Sequence, residues 1–448
     1  MVDEIDYLTY KVSDLRKEKI KLDSELDSKI NQIQSKIGDM FDKSKMAESI
    51  AESIKSDYVS DAIIDASARV AVDKSNQEIF RKCKAIADIG EENINKLTGN
   101  DLINDISNKI QKYRSNYSHN DVVNILICYT QGFITVFSGD PGTGKTSICN
   151  ILAHALGSDK ISSVNKNDGF DRYIPVSVER GWTSKRDLIG YYNPLTKSFD
   201  SNNGHLYEAL RILDSEAKNK SSKYPLTVLL DEANLSPMEY YWADFMNLCD
   251  DWNEANSISL GNNEVLRIPE TLRFLATINN DHTTEILSPR LIDRAWIIIL
   301  PTFTGDSIDE LELSDTNELV TWESLKDALS FSDDLSGRIK IILEKIYKKC
   351  KEKNISVSPR TRKAIENYCK VAQNLFNDTD QQRKDIIAAD YAISQKLLTK
   401  LSGSGEDYKE FIEGLLDICK SESLVHSCEI LNRMIQRGNS LMGYYKFF

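Results

Sequence analysis

Short apolar segments alternate with amphipathic ones through the middle of the chain, from about residue 120 to residue 300. Their β-branched and aromatic residues, in runs of five to seven, are typical of strands buried on both faces of a sheet. The predicted strands are Phe133–Ser138, Arg172–Val178, Leu226–Leu230, Leu272–Thr277 and Ala295–Leu300. The stretches between them predict helices, among them Asn120–Thr130 and Thr146–Leu156. This alternation predicts an α/β fold with a parallel sheet covered by helices.

The first 115 residues have a different pattern, polar with widely spaced apolar positions. Heptad a and d positions are occupied by Ile5, Leu8, Val12, Leu15, Leu22, Leu26, Ile33 and Met40. Lys19, Lys29 and Lys36 interrupt this series. The pattern predicts a long helix in a coiled coil or helical hairpin. An amphipathic helix that packs on its own neighbours fits the pattern as well. Further helices are predicted at Asp61–Asp73 and Gln77–Ile89.

Beyond the last predicted strand, the sequence GDSIDELELSDTNEL has six acidic residues and no basic one, which indicates an exposed connection. From Trp322 to the sequence LMGYYKFF at the end, the pattern predicts helices throughout. Three domains are therefore expected. Residues 1–115 form a helical or coiled-coil arm, residues 116–305 an α/β nucleotide-binding domain, and residues 306–448 an all-helical lid.

Composition narrows the function classes. The chain of 448 residues has a net charge of −13, which does not indicate a large nonspecific DNA-binding surface, although a local basic groove in an oligomer is compatible with it. Its eight cysteines form no C-x-x-C pair and its five histidines have no metal-ligand spacing, so reduced thiols in the cytoplasm are expected. No apolar run is long enough to span a bilayer, and the charged N-terminus has no signal-peptide core.

The sequence GDPGTGKT after the first predicted strand fits the pattern G-x-x-x-x-G-K-[ST]. Glycines let the backbone curl with its N–H groups turned inward, and the following helix begins there with its positive end. Lys145 would reach the β- and γ-phosphates of a nucleotide, and the Thr146 hydroxyl would bind Mg²⁺. The alternative is a chance match in a glycine-rich turn. The candidate phosphate-binding residues are Gly139, Asp140, Pro141, Gly142, Thr143, Gly144, Lys145, Thr146 and Ser147.

Two acidic residues, Asp231 and Glu232, follow the third predicted strand. Ligands of open α/β sheets bind at the carboxyl ends of the strands. Asp231 is therefore a candidate for holding Mg²⁺ through water, and Glu232 for deprotonating an attacking water molecule. By itself, such a pair is more commonly a strand that ends in solvated acids.

Further polar candidates follow the fourth predicted strand. Asn279 is placed to hydrogen-bond a γ-phosphate or the attacking water. Arg290 and Arg294 lie about one helical turn apart and could reach the nucleotide of a neighbouring subunit, or form a surface ion pair with Asp293. Arg360 begins a predicted lid helix, where it could close on the phosphates or lie on the surface.

From about residue 120 to the end, these motifs together resemble the AAA+ ATPases. The sequence RDLIGYYNPLTKSFDSNNGHLYEAL is similar to the helix-2 insertion of the McrB and MoxR branch of that class. The sequences DEANLSPMEYYWADF and ATINNDHTTEILSPRLIDRA are most similar to McrB. The resemblance implies that Lys145 and Thr146 belong to the Walker A motif, and that Asp231 and Glu232 form the Walker B motif. It also implies a homo-oligomeric, hexameric ring that binds ATP or GTP with Mg²⁺.

Four later residues take their roles from the same resemblance. Asn279 matches sensor 1 and Arg360 matches sensor 2. Arg294 matches the arginine finger best, with Arg290 second.

The resemblance implies a motor that drives a separate McrC-like nuclease in anti-phage restriction, with nucleic acid bound through the complex. We find no D…E-x-K nuclease cluster in the chain, so the cutting activity would belong to the partner. A MoxR-like chaperone that remodels a protein is the alternative, and an inactive scaffold is a third. Two departures from McrB leave open the choice between ATP and GTP and the target of the protein. The McrB signature M-N-T-A-D-R-S is replaced by INNDHTT, and the N-terminal 115 residues do not resemble the DNA-reading domain of McrB.

Overall fold

The computed structural model describes most of the chain, namely residues 2–40, 72, 74–159, 170–195, 197–249, 256–261, 264–280, 284–300, 313, 318–330, 334–440 and 443–448. Its contacts divide the chain into two units. The first contains Met1–Asn76 and Asn193–Ser198, and the second contains Gln77–Tyr192 and Phe199–Phe448. Within the described part of the chain, none of the helices combines the length and hydropathy needed to cross a membrane.

A single helix, α1 (Val2–Met40), accounts for most of what is described in the first unit. Leu15 and Leu22, at two predicted heptad positions, are about half exposed. The long helix predicted here is therefore present, whereas its pairing in a coiled coil stays a prediction. The helix predicted at Asp61–Asp73 lies almost entirely outside the described residues.

The second unit contains a five-stranded parallel sheet, which confirms the predicted α/β class. Its strand order is β2-β5-β8-β1-β9. The strands are β1 (Ile134–Ser138), β2 (Tyr173–Ser177), β5 (Leu226–Asp231), β8 (Leu272–Ile278) and β9 (Trp296–Ile299). Each begins and ends within one or two residues of its prediction.

The register of this sheet explains why the candidate residues meet. Every residue of β1 and β8 is buried, as expected for parallel strands covered on both faces. Strand β8 pairs with β5 on one side and with β1 on the other. The carboxyl ends of these three strands therefore lie side by side, and the segments that follow them share one edge of the sheet.

Helices precede the sheet and lie between its strands along the chain. They are α2 (residues 74–87), α3 (Gly99–Tyr113), α4 (His119–Gln131), α5 (Lys145–Ala155) and α7 (Gly204–Asn219). Helix α3 packs on α4 and α5 and buries Leu102, Ile103, Ile106 and Ile110. Although the sequence pattern assigns residues 99–113 to the arm, their contacts belong to the second unit.

Several short elements interrupt this arrangement. The segment that resembles a helix-2 insertion begins within α6 (Lys185–Leu188) and contains β3 (Tyr191–Asn193) and β4 (Ser198–Asp200). After β5 come α8 (Met238–Tyr241), α9 (Ala243–Met246) and an antiparallel pair, β6 (Ser257–Gly261) with β7 (Glu264–Arg267). Helix α10 (Pro289–Arg294) precedes β9.

The C-terminal region is mostly helical, as predicted, with one difference. Its helices are α11 (Trp322–Ala328), α12 (Gly337–Glu352), α13 (Pro359–Leu375), α14 (Gln381–Lys396), α15 (Glu406–Ser421) and α16 (Val425–Ser440). The expectation of an all-helical lid is wrong in detail, because β10 (Ser402–Ser404) pairs with β11 (Tyr444–Lys446). The chain turns back at Gly443 (φ 79°), and the Tyr445 ring packs where Gly438 has no side chain.

Helix α4 joins the C-terminal helices to the sheet through buried polar contacts. The amide oxygen of Asn124, which is 2% exposed, accepts hydrogen bonds from the Tyr368 hydroxyl and from Gln395 Nε2. The Tyr391 hydroxyl donates to Asp121 at 2.6 Å, and burial raises the pKa of this phenol. Buried hydrogen bonds of this kind hold α13 and α14 in a fixed orientation against α4.

Candidate nucleotide site

The loop between β1 and α5 has the backbone that its sequence predicts. Gly142 (φ 81°) and Gly144 (φ 79°) adopt left-handed conformations that other residues adopt at a cost, and α5 begins directly afterwards at Lys145. Lys145 Nζ donates to the carbonyl oxygens of Gly139 and Asp140 at 2.9 Å each. The ammonium group therefore lies inside the curl of the loop, where the motif expects it.

Two predicted metal-binding residues meet next to this loop. The Thr146 hydroxyl, on the first turn of α5, donates to Asp231 Oδ1 at the end of β5, 2.8 Å away. A hydroxyl and a carboxylate are hard oxygen ligands of the type that Mg²⁺ takes. The described residues include no group of three or more His, Cys, Asp or Glu side chains arranged for a metal. The oxygen pair fits Mg²⁺ because this ion takes oxygen ligands, keeps several waters and binds substrate phosphates.

Glu232 has an unusual backbone. Its φ and ψ angles of 52° and 43° are left-handed, which costs a residue with a side chain on the order of 1 kcal/mol. Its N–H donates to the Thr277 hydroxyl at 2.8 Å, and this hydroxyl donates to Asp231 Oδ1 at 2.6 Å. Strain of this kind is found at functional sites, where surrounding contacts maintain it.

Asn279 follows β8 and is held through its main chain. Asn234 Nδ2 donates to the Asn279 carbonyl at 2.8 Å, and the Asn279 N–H donates to Asn234 Oδ1 at 3.1 Å. The Thr284 hydroxyl also donates to this carbonyl, at 3.0 Å. These three bonds involve only the main chain of Asn279, and its side-chain amide takes no part in them.

Arg290 and Arg294 lie on α10, which begins with Ser288 as its N-cap. Arg290 is exposed and Arg294 is partly buried, and Arg294 Nη1 donates to the Arg290 carbonyl at 3.0 Å. The carboxylate of Asp293, between them, is engaged by Lys400 and by Arg360, whose Nη1 lies 3.5 Å from Asp293 Oδ2. The structure therefore brings Arg360 to α10, next to the candidate finger residues.

Charges around Asp293 shift two pKa values. Burial alone would raise the pKa of Asp293, but the hydrogen bond and charge of Lys400 lower it overall. Burial, reinforced by the charge of Lys400, lowers the pKa of Lys396 to about 7. Lys396 Nζ donates to the Ala295 carbonyl at 2.8 Å, so this lysine joins α14 to the segment between α10 and β9.

A cavity of about 670 Å³ opens beside the phosphate loop. Its walls include Ser138 and Gly139 of that loop and Tyr117 and Asp121 near the start of α4. Helix α16 contributes the opposite wall. The volume falls in the range of ordinary small-molecule sites.

Two arginines of α16, Arg433 and Arg437, line this cavity. Arg437 also lines a second cavity, of about 770 Å³, together with Asn279. Neither arginine was predicted as a site residue from the sequence, although their spacing of four residues places them on one face of a helix.

A third arginine outside the predicted set approaches the phosphate loop from the segment between α3 and α4. A Cβ atom on Gly144 would lie 2.9 Å from Arg114 Nη2. Arg114 is partly buried, so its charge lies close to the start of α5. Nothing in the sequence pattern distinguished this residue from other basic residues of the N-terminal region.

Comparison with known proteins gives one match. Residues 311–443 match a family model described as a domain of unknown function, DUF8727. The match covers α11 to α16 and excludes the phosphate loop. No curated protein matches the chain.

Proposed function

We propose that this protein is a magnesium-dependent nucleoside triphosphatase of the AAA+ class, similar to the McrB motor, that hydrolyses ATP or GTP. The hydrogen bond from Thr146 to Asp231 carries the proposal, because it joins the helix that begins at the phosphate loop to the first of the two acidic residues. A glycine-rich turn that matched the motif by chance would have no reason to meet an acidic strand end in this way.

In the proposal, the loop amides and Lys145 bind the β- and γ-phosphates. The Thr146 hydroxyl, and Asp231 through water, would hold Mg²⁺, which would neutralise charge on the phosphate oxygens. The cavity next to Gly139 receives the base and ribose, and Arg437 approaches the phosphates from α16 of the same chain.

Glu232 then takes the proton of the attacking water as the water adds to the γ-phosphorus, and the Asn279 amide orients this water. The bond from the γ-phosphorus to the bridging oxygen breaks, which yields the nucleoside diphosphate and inorganic phosphate. Arg294, or Arg290, stabilises the developing charge from a neighbouring subunit of a hexameric ring.

The proposed partner is a McrC-like nuclease in a cytoplasmic anti-phage system, with nucleic acid bound through the complex. The support is the resemblance described above. All eight cysteines are free thiols, which suits a reducing compartment.

The test is a hydrolysis assay with purified protein, with ATP and GTP in parallel, and with or without DNA and RNA. Wild-type protein should release phosphate.

Lys145→Ala should abolish tight nucleotide binding, because the phosphates lose their cationic partner. Glu232→Gln keeps the shape of the side chain and removes the base, so it should bind nucleotide and fail to hydrolyse it. Unchanged affinity of Lys145→Ala by calorimetry, or wild-type turnover by Glu232→Gln, would contradict the proposal.

A further inference from the structure

Strands β5 and β8 remain connected beyond their last backbone pair. The final pair in their register is Leu230 with Ala276. One residue further on, the Thr277 side chain takes over, because its hydroxyl accepts from the Glu232 N–H at 2.8 Å and donates to Asp231 Oδ1 at 2.6 Å. Thr277 is 1% exposed, so no solvent competes for these bonds.

A second connection lies two residues further along. Asn234, which is 4% exposed, donates to the Asn279 carbonyl at 2.8 Å and accepts from the Asn279 N–H at 3.1 Å. Its amide also donates to the Glu285 carbonyl at 3.1 Å. One side chain thus pairs with the Asn279 main chain in both directions, as a neighbouring strand would.

We propose that Thr277 and Asn234 are positioning residues that hold Glu232 and Asn279 as one unit during hydrolysis. This inference rests on the function proposed above. Neither residue needs to touch the nucleotide. Thr277 acts through the main chain of Glu232, and Asn234 acts through the main chain of Asn279.

The left-handed backbone of Glu232 makes this support necessary. A residue with a side chain leaves this conformation unless its surroundings maintain it. Without the Thr277 hydroxyl, the Glu232 N–H loses its partner and Asp231 loses one of its two hydroxyl donors. Glu232 is then able to return to an extended backbone, which carries its carboxylate away from the water. A displacement of about 1 Å costs catalysis roughly 10²-fold.

The experiment compares Thr277→Val with Thr277→Ser and with Thr135→Val. Valine keeps the shape of threonine and removes the hydroxyl, whereas serine restores the hydroxyl. Thr135 is the matched control, because it is fully buried in the same sheet and its hydroxyl has no hydrogen-bond partner among the described residues. Thermal unfolding of each variant measures the purely structural effect of the change.

We expect Thr277→Val to lower kcat by roughly 10²-fold. Its affinity for non-hydrolysable ATP and GTP analogues should stay within twofold, because the phosphate loop is intact. Thr277→Ser should recover most of the rate, and Thr135→Val should match wild type. In a Glu232→Gln background, Thr277→Val should cause no further loss, since it acts through Glu232.

Asn234→Ala should show the same separation of kcat from affinity, because it removes both bonds to the Asn279 main chain. If the two residues act as a unit, the Thr277→Val, Asn234→Ala double variant should lose little more than the worse single variant. If the loss of kcat in the double variant equals the product of the two single losses, the two residues act independently, which contradicts the single unit.

The outcomes separate this inference from the proposed function. Wild-type protein without turnover on either nucleotide would overturn both. If wild type hydrolyses nucleotide and Thr277→Val keeps its rate, the positioning role is wrong while the proposed function stands. A loss of rate that Thr277→Ser does not restore, or a parallel loss in Thr135→Val, would assign the effect to packing and overturn the inference as well.

Discussion

At the scale of single residues, the two lid arginines Arg360 and Arg437 differ in their surroundings. Arg360 matches sensor 2 by its place in the sequence, but its guanidinium group lies 3.5 Å from Asp293 and its side chain is 42% exposed. Arg437 lines the cavities that contain Gly139 and Asn279. In the proposed site, Arg437 rather than Arg360 would therefore supply positive charge to a bound triphosphate.

We expect Arg437→Ala to weaken nucleotide binding by about tenfold or more, the loss that follows removal of one hydrogen bond to a charged group. Arg360→Ala should leave the affinity within about twofold, because an exposed ion pair contributes about 1 kcal/mol or less, and to stability only. A fluorescent nucleotide titration, with thermal unfolding alongside, measures both effects. If Arg360→Ala weakens nucleotide binding and Arg437→Ala does not, Arg360 has the sensor 2 role.

Residues were predictable where a short sequence motif fixes a local conformation. Thr146 and Asp231 meet, because the helix that begins after β1 and the end of β5 share one edge of a parallel sheet. Thr277 and Asn234 were not predictable, since each acts through a bond to a residue about 45 positions away. Such bonds depend on the register of two strands, which no local pattern specifies.

At the scale of elements, helix α3 shows where the sequence pattern was insufficient. Its apolar residues repeat at helical spacing, as those of the arm do, so the pattern alone placed both in one domain. Its Tyr113 ring meets His154 of α5 edge-on, with ring centres 5.6 Å apart. The helix that carries Lys145 and Thr146 therefore packs directly on α3.

A pair of truncations tests this boundary. Removing residues 1–73 should keep the second unit folded and its hydrolysis within a few-fold of wild type, a change of about 1 kcal/mol or less in barrier. Removing residues 1–113 also removes Leu102, Ile103, Ile106 and Ile110. At about 1.5–3 kcal/mol for each buried side chain, this loss of about 6–12 kcal/mol is comparable to the stability of a whole domain.

Circular dichroism and size-exclusion chromatography distinguish the two truncations. The longer one should be unfolded or aggregated. If it remains folded and active, α3 is not part of the nucleotide-binding unit. If the shorter one folds and loses all hydrolysis, residues 1–73 contribute to the active assembly.

The strands were the most predictable elements, because buried parallel strands are continuous apolar runs. The short antiparallel strand pairs were not predictable from the sequence pattern. Strands β10 and β11 have three residues each, and what defines them is the packing of Tyr445 over Gly438 across a turn at Gly443. Helical spacing continues up to Ser440, so the periodicity gives no warning that the chain reverses there.

At the scale of the whole molecule, the resemblance to AAA+ ATPases predicts that a neighbouring subunit completes the proposed site. Lys145 and Arg437 approach the expected phosphate position from one chain, whereas Arg290 and Arg294 lie on α10, beyond β8. If Arg294 acts across a subunit boundary, an isolated subunit should be nearly inactive. The specific rate should then rise with protein concentration as rings form.

Complementation between two inactive variants tests this arrangement. Arg294→Ala should keep nucleotide affinity and lose turnover by roughly 10³-fold or more, the usual effect of an arginine finger. Lys145→Ala cannot bind nucleotide tightly but retains Arg294. In an equal mixture, an intact site forms wherever the Lys145 of one subunit meets the Arg294 of the next, so random head-to-tail rings should recover about a quarter of wild-type turnover.

The control is a mixture of Lys145→Ala with Glu232→Gln. Each of these variants lacks a residue that we assign to its own nucleotide site. A neighbouring subunit therefore cannot restore either defect. A site with the Lys145 of the Glu232→Gln subunit still lacks its base, so this mixture should stay inactive. Activity in the Arg294 mixture alone therefore requires a residue donated across the interface. If that mixture stays inactive while light scattering shows mixed rings, Arg294 does not act in trans, and the same experiment with Arg290→Ala tests the other candidate on α10.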